Sequence, residues 1–401
     1  MPQTAGPYEI MCPQAQPGWL SYAGSDVGNQ TDLPPFTEDD VFPAQLGSNE
    51  DCLFLDLLVP ENVFKSRTTS TAPVLLFIHG GGYVQGSKTE YGSGVGLLNA
   101  AAGDNEDLIY VSINYRLGLF GFLAGSDTSD AFANLGLQDQ VFALEWIQKY
   151  IHLFGGNKDA VTVMGESAGA GSIMYHLTSP EISSRSLFRR GIVQSPYTYH
   201  ISKAQQEETF RQILQASNVS SLSELEDMPT KTLQMVNGIV VGNARPYGTF
   251  VFGPVIDGDR YPGYPPLLLA QGQHDRSIQM MEGHNTNEGL LFASPFIHND
   301  TQFNADIALL FPQASESVLS TITQTLYPSD FSGIYGYVNQ LGRIARLVAD
   351  ATIVCNTYCC DINRPEISAV TPISRRRKHG CSAGEFPRNS RVFDHFPTKR
   401  S

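Results

Sequence analysis

The feature that most constrains the fold is a short buried run, Ala160-Val-Thr-Val-Met164, that meets Gly165-Glu-Ser-Ala-Gly169 and then a helical pattern from Ala170 to Leu177. A strand followed at once by a helix leaves room only for a tight turn. A side chain two residues before or after Ser167 would crowd that turn or its packing, and glycine stands at both places. The serine is then lifted clear of the sheet, at the positive end of the following helix. The same five-residue pattern recurs at Gly380-Cys-Ser382-Ala-Gly384, after a basic run and before Pro387. Neither a strand nor a helix flanks that copy, and it reads as a chance match. Context, not the five letters, singles out Ser167.

Other segments extend the same alternation. Cys52 to Val59 reads as a strand closed by Pro60, and Val74 to Ile78 as a buried strand running into Gly80-Gly81-Gly82. Leu108 to Ile113 and Arg190 to Gln194 are further strands, with a later one at Ser277 to Glu282. Asn134 to Tyr150 carries Val141, Leu144 and Ile147 at helical spacing, and Lys203 to Asn237 is amphipathic and helical. Strands apolar along their length and separated by helices predict an α/β fold: a mainly parallel sheet with helices on both faces.

Composition narrows the function. With 16% charged and 41% apolar residues the chain is globular. A net charge of −14 argues against nucleic acid and anionic membrane as partners. The longest apolar runs are strand-sized, so no transmembrane segment is expected, and the opening Met1-Pro-Gln-Thr-Ala-Gly-Pro7 lacks the basic and apolar regions of a signal peptide. Six cysteines are too few for a disulfide scaffold, and no Cys/His spacing matches a metal site. Sequons at Asn29, Asn218 and Asn299 favour secretion only weakly. Residues 364–401 hold nine Lys/Arg against three Asp/Glu and show little apolar periodicity.

A second motif, Phe77-Ile-His-Gly-Gly-Gly-Tyr83, follows directly on a strand. Adjacent glycines let backbone N–H groups converge on one point, as acyl transfer requires of an oxyanion hole. Gly81, Gly82 and the N–H of Ala168 are the expected donors. His79 falls inside this motif and reads as structural.

Together these segments resemble the type-B carboxylesterase family, which includes cholinesterases, fungal lipases and neuroligins. The resemblance runs from about Cys12 to Tyr358. It is carried also by Glu50-Asp-Cys-Leu-Phe-Leu-Asp56, Asn114-Tyr-Arg-Leu-Gly118, Asn134-Leu-Gly-Leu-Gln-Asp-Gln140, Phe154-Gly-Gly-Asn157 and Gly253-Pro-Val-Ile-Asp-Gly258. It implies an α/β-hydrolase fold and a Ser-Glu-His triad. The family's acid motif matches Gly283-His-Asn-Thr-Asn-Glu-Gly289, which makes Glu288 the acid expected to orient and stabilise the histidine. His284, in the same motif, is not at the base position. Ser195 is expected either to hydrogen-bond the acid or to be plainly structural. Cys12 and Cys52 match a family disulfide, which implies an oxidising, extracellular compartment.

The resemblance implies a domain over 1–360, without the family's usual first strands, and a divergent basic tail over 361–401. The candidate base in that tail is His379, with His395 as the alternative. The implied activity is hydrolysis of a small-molecule or lipid ester, with no cofactor or metal. A catalytically impaired, cholinesterase-like binding protein is the alternative.

Overall fold

The computed structural model describes residues 10–41, 48–125, 128 and 133–361. Among the described residues six strands form one sheet: β1 (Leu55–Leu58), β2 (Ala72–Ile78), β3 (Ile109–Ile113), β4 (Gly156–Glu166), β5 (Arg190–Gln194) and β6 (Gln279–Gly283). Their order across the sheet is β1-β3-β2-β4-β5-β6. Only β1 is antiparallel, with Leu55 opposite Ile113; every other pairing is parallel. Parallel neighbours need crossovers, and helices supply them. Helix α1 (Val95–Gly103) links β2 to β3, α2 (Leu135–Tyr150) links β3 to β4, and α3 (Ala168–Thr178) links β4 to β5.

Alternation along β2 shows that both faces are covered. Val74, Leu76 and Ile78 enter the main core with Ile109, Val111, Val161 and Val163. Leu75 and Phe77 point the other way, into a smaller cluster with Tyr110, Met164 and Leu98 of α1. Burial on both sides is why these strands read as continuous apolar runs.

The expected α/β architecture is present, with three differences in detail. Helix α1 carries no apolar stripe (its sequence is Val-Gly-Leu-Leu-Asn-Ala-Ala-Ala-Gly), so no periodicity announces it. Strand β4 starts at Gly156, ahead of the apolar run, and passes through the exposed Lys158 and Asp159, which hide its start from an apolar pattern. The helical stretch from Lys203 is broken in two places. It divides into α4 (Lys203–Ser217), a short turn over Leu222–Glu226, and α5 (Thr230–Gly242). Asn218 ends α4 in the left-handed region at φ 53°, and Pro229 precedes α5.

Two later helices, α6 (Asp300–Leu310) and α7 (Gln340–Ala349), follow β6 in the chain, and α7 packs against the turn Glu288–Leu290. α7 runs on through a π-helical turn, Asp350–Val354, into a last helical segment, Cys355–Asp361. Cys12 and Cys52 are bonded to each other as the resemblance implied, and both are buried. Among the described residues no helix is long and apolar enough to cross a membrane.

Candidate active site

Open parallel sheets gather ligands at the carboxyl ends of their strands. Here the register brings four such ends together: Ile78 pairs with Gly165, Glu166 with Gln194, and Gln194 with Gly283. The segments leaving β2, β4, β5 and β6 hold the glycine run, Ser167, Ser195 and Glu288 respectively.

Ser167 links β4 to α3 with φ 54° and ψ −119°, a conformation costly for a residue with a side chain. The surroundings hold it there. Its N–H donates to Gln194 O (2.9 Å), and its carbonyl accepts from Gly171 N (2.9 Å) and Tyr197 N (3.0 Å). The flanking glycines are explained by the same crowding. A Cβ on Gly165 would stand 2.5 Å from the Gly169 carbonyl carbon, and one on Gly169 would overlap the carbonyl oxygen of Ile78.

The glycine run lies against this turn. Gly81 (φ 99°) and Gly82 (φ 62°) both occupy left-handed backbone. A Cβ on Gly80 would come within 2.8 Å of Glu166 O, and one on Gly82 would strike the Phe250 ring. Among the described residues no acceptor takes the N–H of Gly81, Gly82 or Ala168. Three free donors thus border Ser167, one of them at the first position of a helix.

On the other flank, Ser195 follows β5 with φ 49°, and its N–H donates to Gly283 O at 2.7 Å. Its hydroxyl donates to Glu288 Oε1 at 2.6 Å. The N–H of Asn285 donates to the same oxygen, and the Asn285 amide reaches Ser195 Oγ at 3.4 Å. Glu288 Oε2 is left without a partner among the described residues. Gly289 packs so closely on α7 that a Cβ there would overlap the Ala345 carbonyl. That close approach explains the glycine that ends the acid motif. The ends of β4 and β6 lie two strand spacings apart, roughly 10 Å.

Glu166 sits between the flanks. Burial raises its pKa, the Tyr91 hydroxyl (3.0 Å) opposes the rise, and the charge of Glu288 adds to it. Partial burial and the neighbouring Glu166 push the Tyr91 phenol up, so it stays a donor. Tyr91 and Asn285 were not singled out in the sequence, although Asn285 is the fixed asparagine of the acid motif. His284 stands edge-on to Tyr358, ring centroids 5.8 Å apart. His379, His395 and Ser382 lie outside the described residues. A cavity of about 580 Å³, lined by residues such as Ser183, His274 and Arg276, includes none of these groups. Among the described residues no cluster of His, Cys, Asp and Glu has the geometry to hold a metal.

Comparison with known proteins identifies the family. Residues 4–331 match the model of the carboxylesterase family. The chain is 35% identical over 373 residues to carboxylesterase patB of Penicillium expansum, covering 86% of this chain and 66% of that protein. It is 34% identical over 350 residues to an acetylcholinesterase of Danio rerio, covering 81% and 52%. Among solved structures, Aspergillus niger EstA superposes with a TM-score of 0.66 at 27% identity, over 82% of this chain and 63% of that one. A PNB esterase gives 0.65 at 26% identity, over 88% and 66%. The chain therefore spans less than two thirds of the length of these relatives. With the glycine run, the serine turn and the acid motif all brought to one end of an α/β-hydrolase sheet, the chain belongs to the carboxylesterase family.

Proposed function

We propose that this chain is a serine hydrolase of carboxylic esters, with Ser167 as nucleophile. The observation that carries the reading is the left-handed backbone of Ser167, held beside three unpaired N–H groups. In the reaction a base takes the Ser167 hydroxyl proton while Oγ attacks the ester carbonyl. The N–H groups of Gly81, Gly82 and Ala168 stabilise the oxyanion. The base returns its proton to the departing alkoxide, and an acyl-enzyme remains. Water, deprotonated by the same base, then displaces the acid and frees Ser167.

We assign the base to His379. Glu288 would present Oε2 to its other ring nitrogen, with Ser195 and Asn285 fixing the carboxylate through Oε1. A neutral ester suits the site better than an anionic one. Two carboxylates, Glu166 and Glu288, flank the serine, and the aromatic rings of Tyr91, Tyr197 and Phe250 lie close by. The hydrolase domain would span 1–360, and the buried Cys12–Cys52 disulfide suits an oxidising, extracellular setting.

The test is labelling of the purified chain by a fluorophosphonate, with turnover of a p-nitrophenyl ester. Both are expected in the wild type. Ser167→Ala should abolish labelling and cut kcat on the order of a million-fold. Absence of both in the wild type refutes the esterase reading. Full activity in His379→Ala refutes only the base.

A further inference from the structure

Behind the glycine run lies a group of side chains that the proposed chemistry does not use. His79 is fully buried and stacks on Tyr115, ring centroids 4.3 Å apart at 18°. Its Nδ1 lies 2.9 Å from the carbonyl oxygen of Gly80, and the Tyr115 hydroxyl donates to the carbonyl of His79 itself at 2.9 Å. A carbonyl oxygen only accepts, so the ring proton resides on Nδ1. Nε2 is buried without a partner, a bare lone pair. Burial, outweighing the hydrogen bond to Gly80, pushes the ring down to about 4, and it is neutral at pH 7.

The peptide between Gly80 and Gly81 is trans and planar, so its C=O and N–H point in opposite directions. Whatever fixes the carbonyl of Gly80 also fixes the direction of the Gly81 N–H. We propose that His79 is a positioning residue: by holding the Gly80 carbonyl on Nδ1–H it aims the Gly81 N–H at the oxyanion. This rests on the esterase reading above.

A brace backs the pair. Gly86 has φ 116°, and a Cβ there would overlap His79 Nδ1 and stand 2.5 Å from Gly80 O. The side-chain amide of Gln14 pairs with the Gly86 backbone in both directions, Nε2 to O at 2.9 Å and N to Oε1 at 2.7 Å. Beside it, Ala15 N donates to Val84 O at 2.9 Å. The segment carrying Gln14 is anchored two residues earlier by the disulfide at Cys12. His79 thus acts inside a loop whose rear wall is fixed.

Two measurements on the full chain test the proposal. The first is 15N NMR of histidine-labelled protein at pH 7, with His79 assigned by the signal lost in His79→Asn. A protonated Nδ1 and a bare Nε2 are expected; an Nε2–H ring overturns the proposal. The second compares p-nitrophenyl ester kinetics of His79→Leu and His79→Asn, each checked for a cooperative melt. His79→Leu should lower kcat on the order of 100-fold, as for loss of one oxyanion donor, with KM unchanged. The Asn side chain can place its Nδ2 donor close to the position of Nδ1 and should recover most of that loss. Equal loss in both variants, or none in His79→Leu, overturns the proposal. If the wild type neither turns over nor labels, the esterase reading fails. The tautomer then decides by itself whether His79 holds the Gly80 carbonyl.

Discussion

On the β2 side of Ser167 the donors are backbone groups, set by left-handed glycines and backed by a buried histidine, an aromatic stack and a disulfide-anchored segment. On the β6 side the proposed acid, Glu288, is a side chain at the start of a short 3-10 turn, half-buried and steadied by Ser195, Asn285 and the packing of Gly289 on α7. The first side is complete within the described residues. The second ends at Glu288 Oε2, which has no partner among the described residues. Electrostatic stabilisation of an oxyanion depends on donors that do not have to reorganise. In the proposed proton relay the charge appears on the base, while the carboxylate keeps its own charge and orients and stabilises its partner. The difference in construction follows the difference in task.

Three substitutions, in falling order of expected effect, press on that contrast. Glu288→Ala should lower kcat about ten-thousand-fold while fluorophosphonate labelling persists at a reduced rate. A loss of tenfold or less would mean that the acid side contributes little and that the contrast is empty. Gly82→Ala should lower kcat about 100- to 1000-fold, because the added methyl meets the Phe250 ring and displaces a donor. Measuring Gly82→Ala with Phe250→Ala sharpens the point: the double variant should recover part of the loss if the clash is the cause. Ser195→Ala should cost about tenfold in kcat, the worth of one hydrogen bond to a charged group. A loss as large as that of Glu288→Ala would place Ser195 in the chemistry, not beside it.

Much of this site could be read in the sequence because its residues answer to local geometry. Ser167 is identified by a strand, two glycines and a helix within eighteen residues, and the register of β4 and β5 does the rest. Ser195 stood with two readings open, and its bond to Glu288 favours the first. Glu288 was legible only through the resemblance, since nothing local separates it from other carboxylates. His79 read as structural because its importance depends on Gly86 and on Gln14, 65 residues earlier in the chain. Helix α1 was invisible because its apolar residues, Val95, Leu97 and Leu98, bunch at the start and Ala-Ala-Ala-Gly follows, so no stripe betrays it. The proposed base, His379, lies outside the described residues.

The π-helical turn at Asp350–Val354 has a consequence for the acid side. One residue more than an ordinary turn accommodates advances the remainder of the helix by about 100° of rotation. That advance turns the Thr352 carbonyl toward Thr198, whose N–H donates to it at 3.3 Å, and lets the Asn356 amide reach Pro196 O at 3.1 Å. The segment just after Ser195 is thereby fastened to the helix on which Gly289 rests. The turn works as a key cut out of phase with its own shaft. Removing one residue would make a smoother helix and a looser grip, so the more regular chain would be the less exact tool.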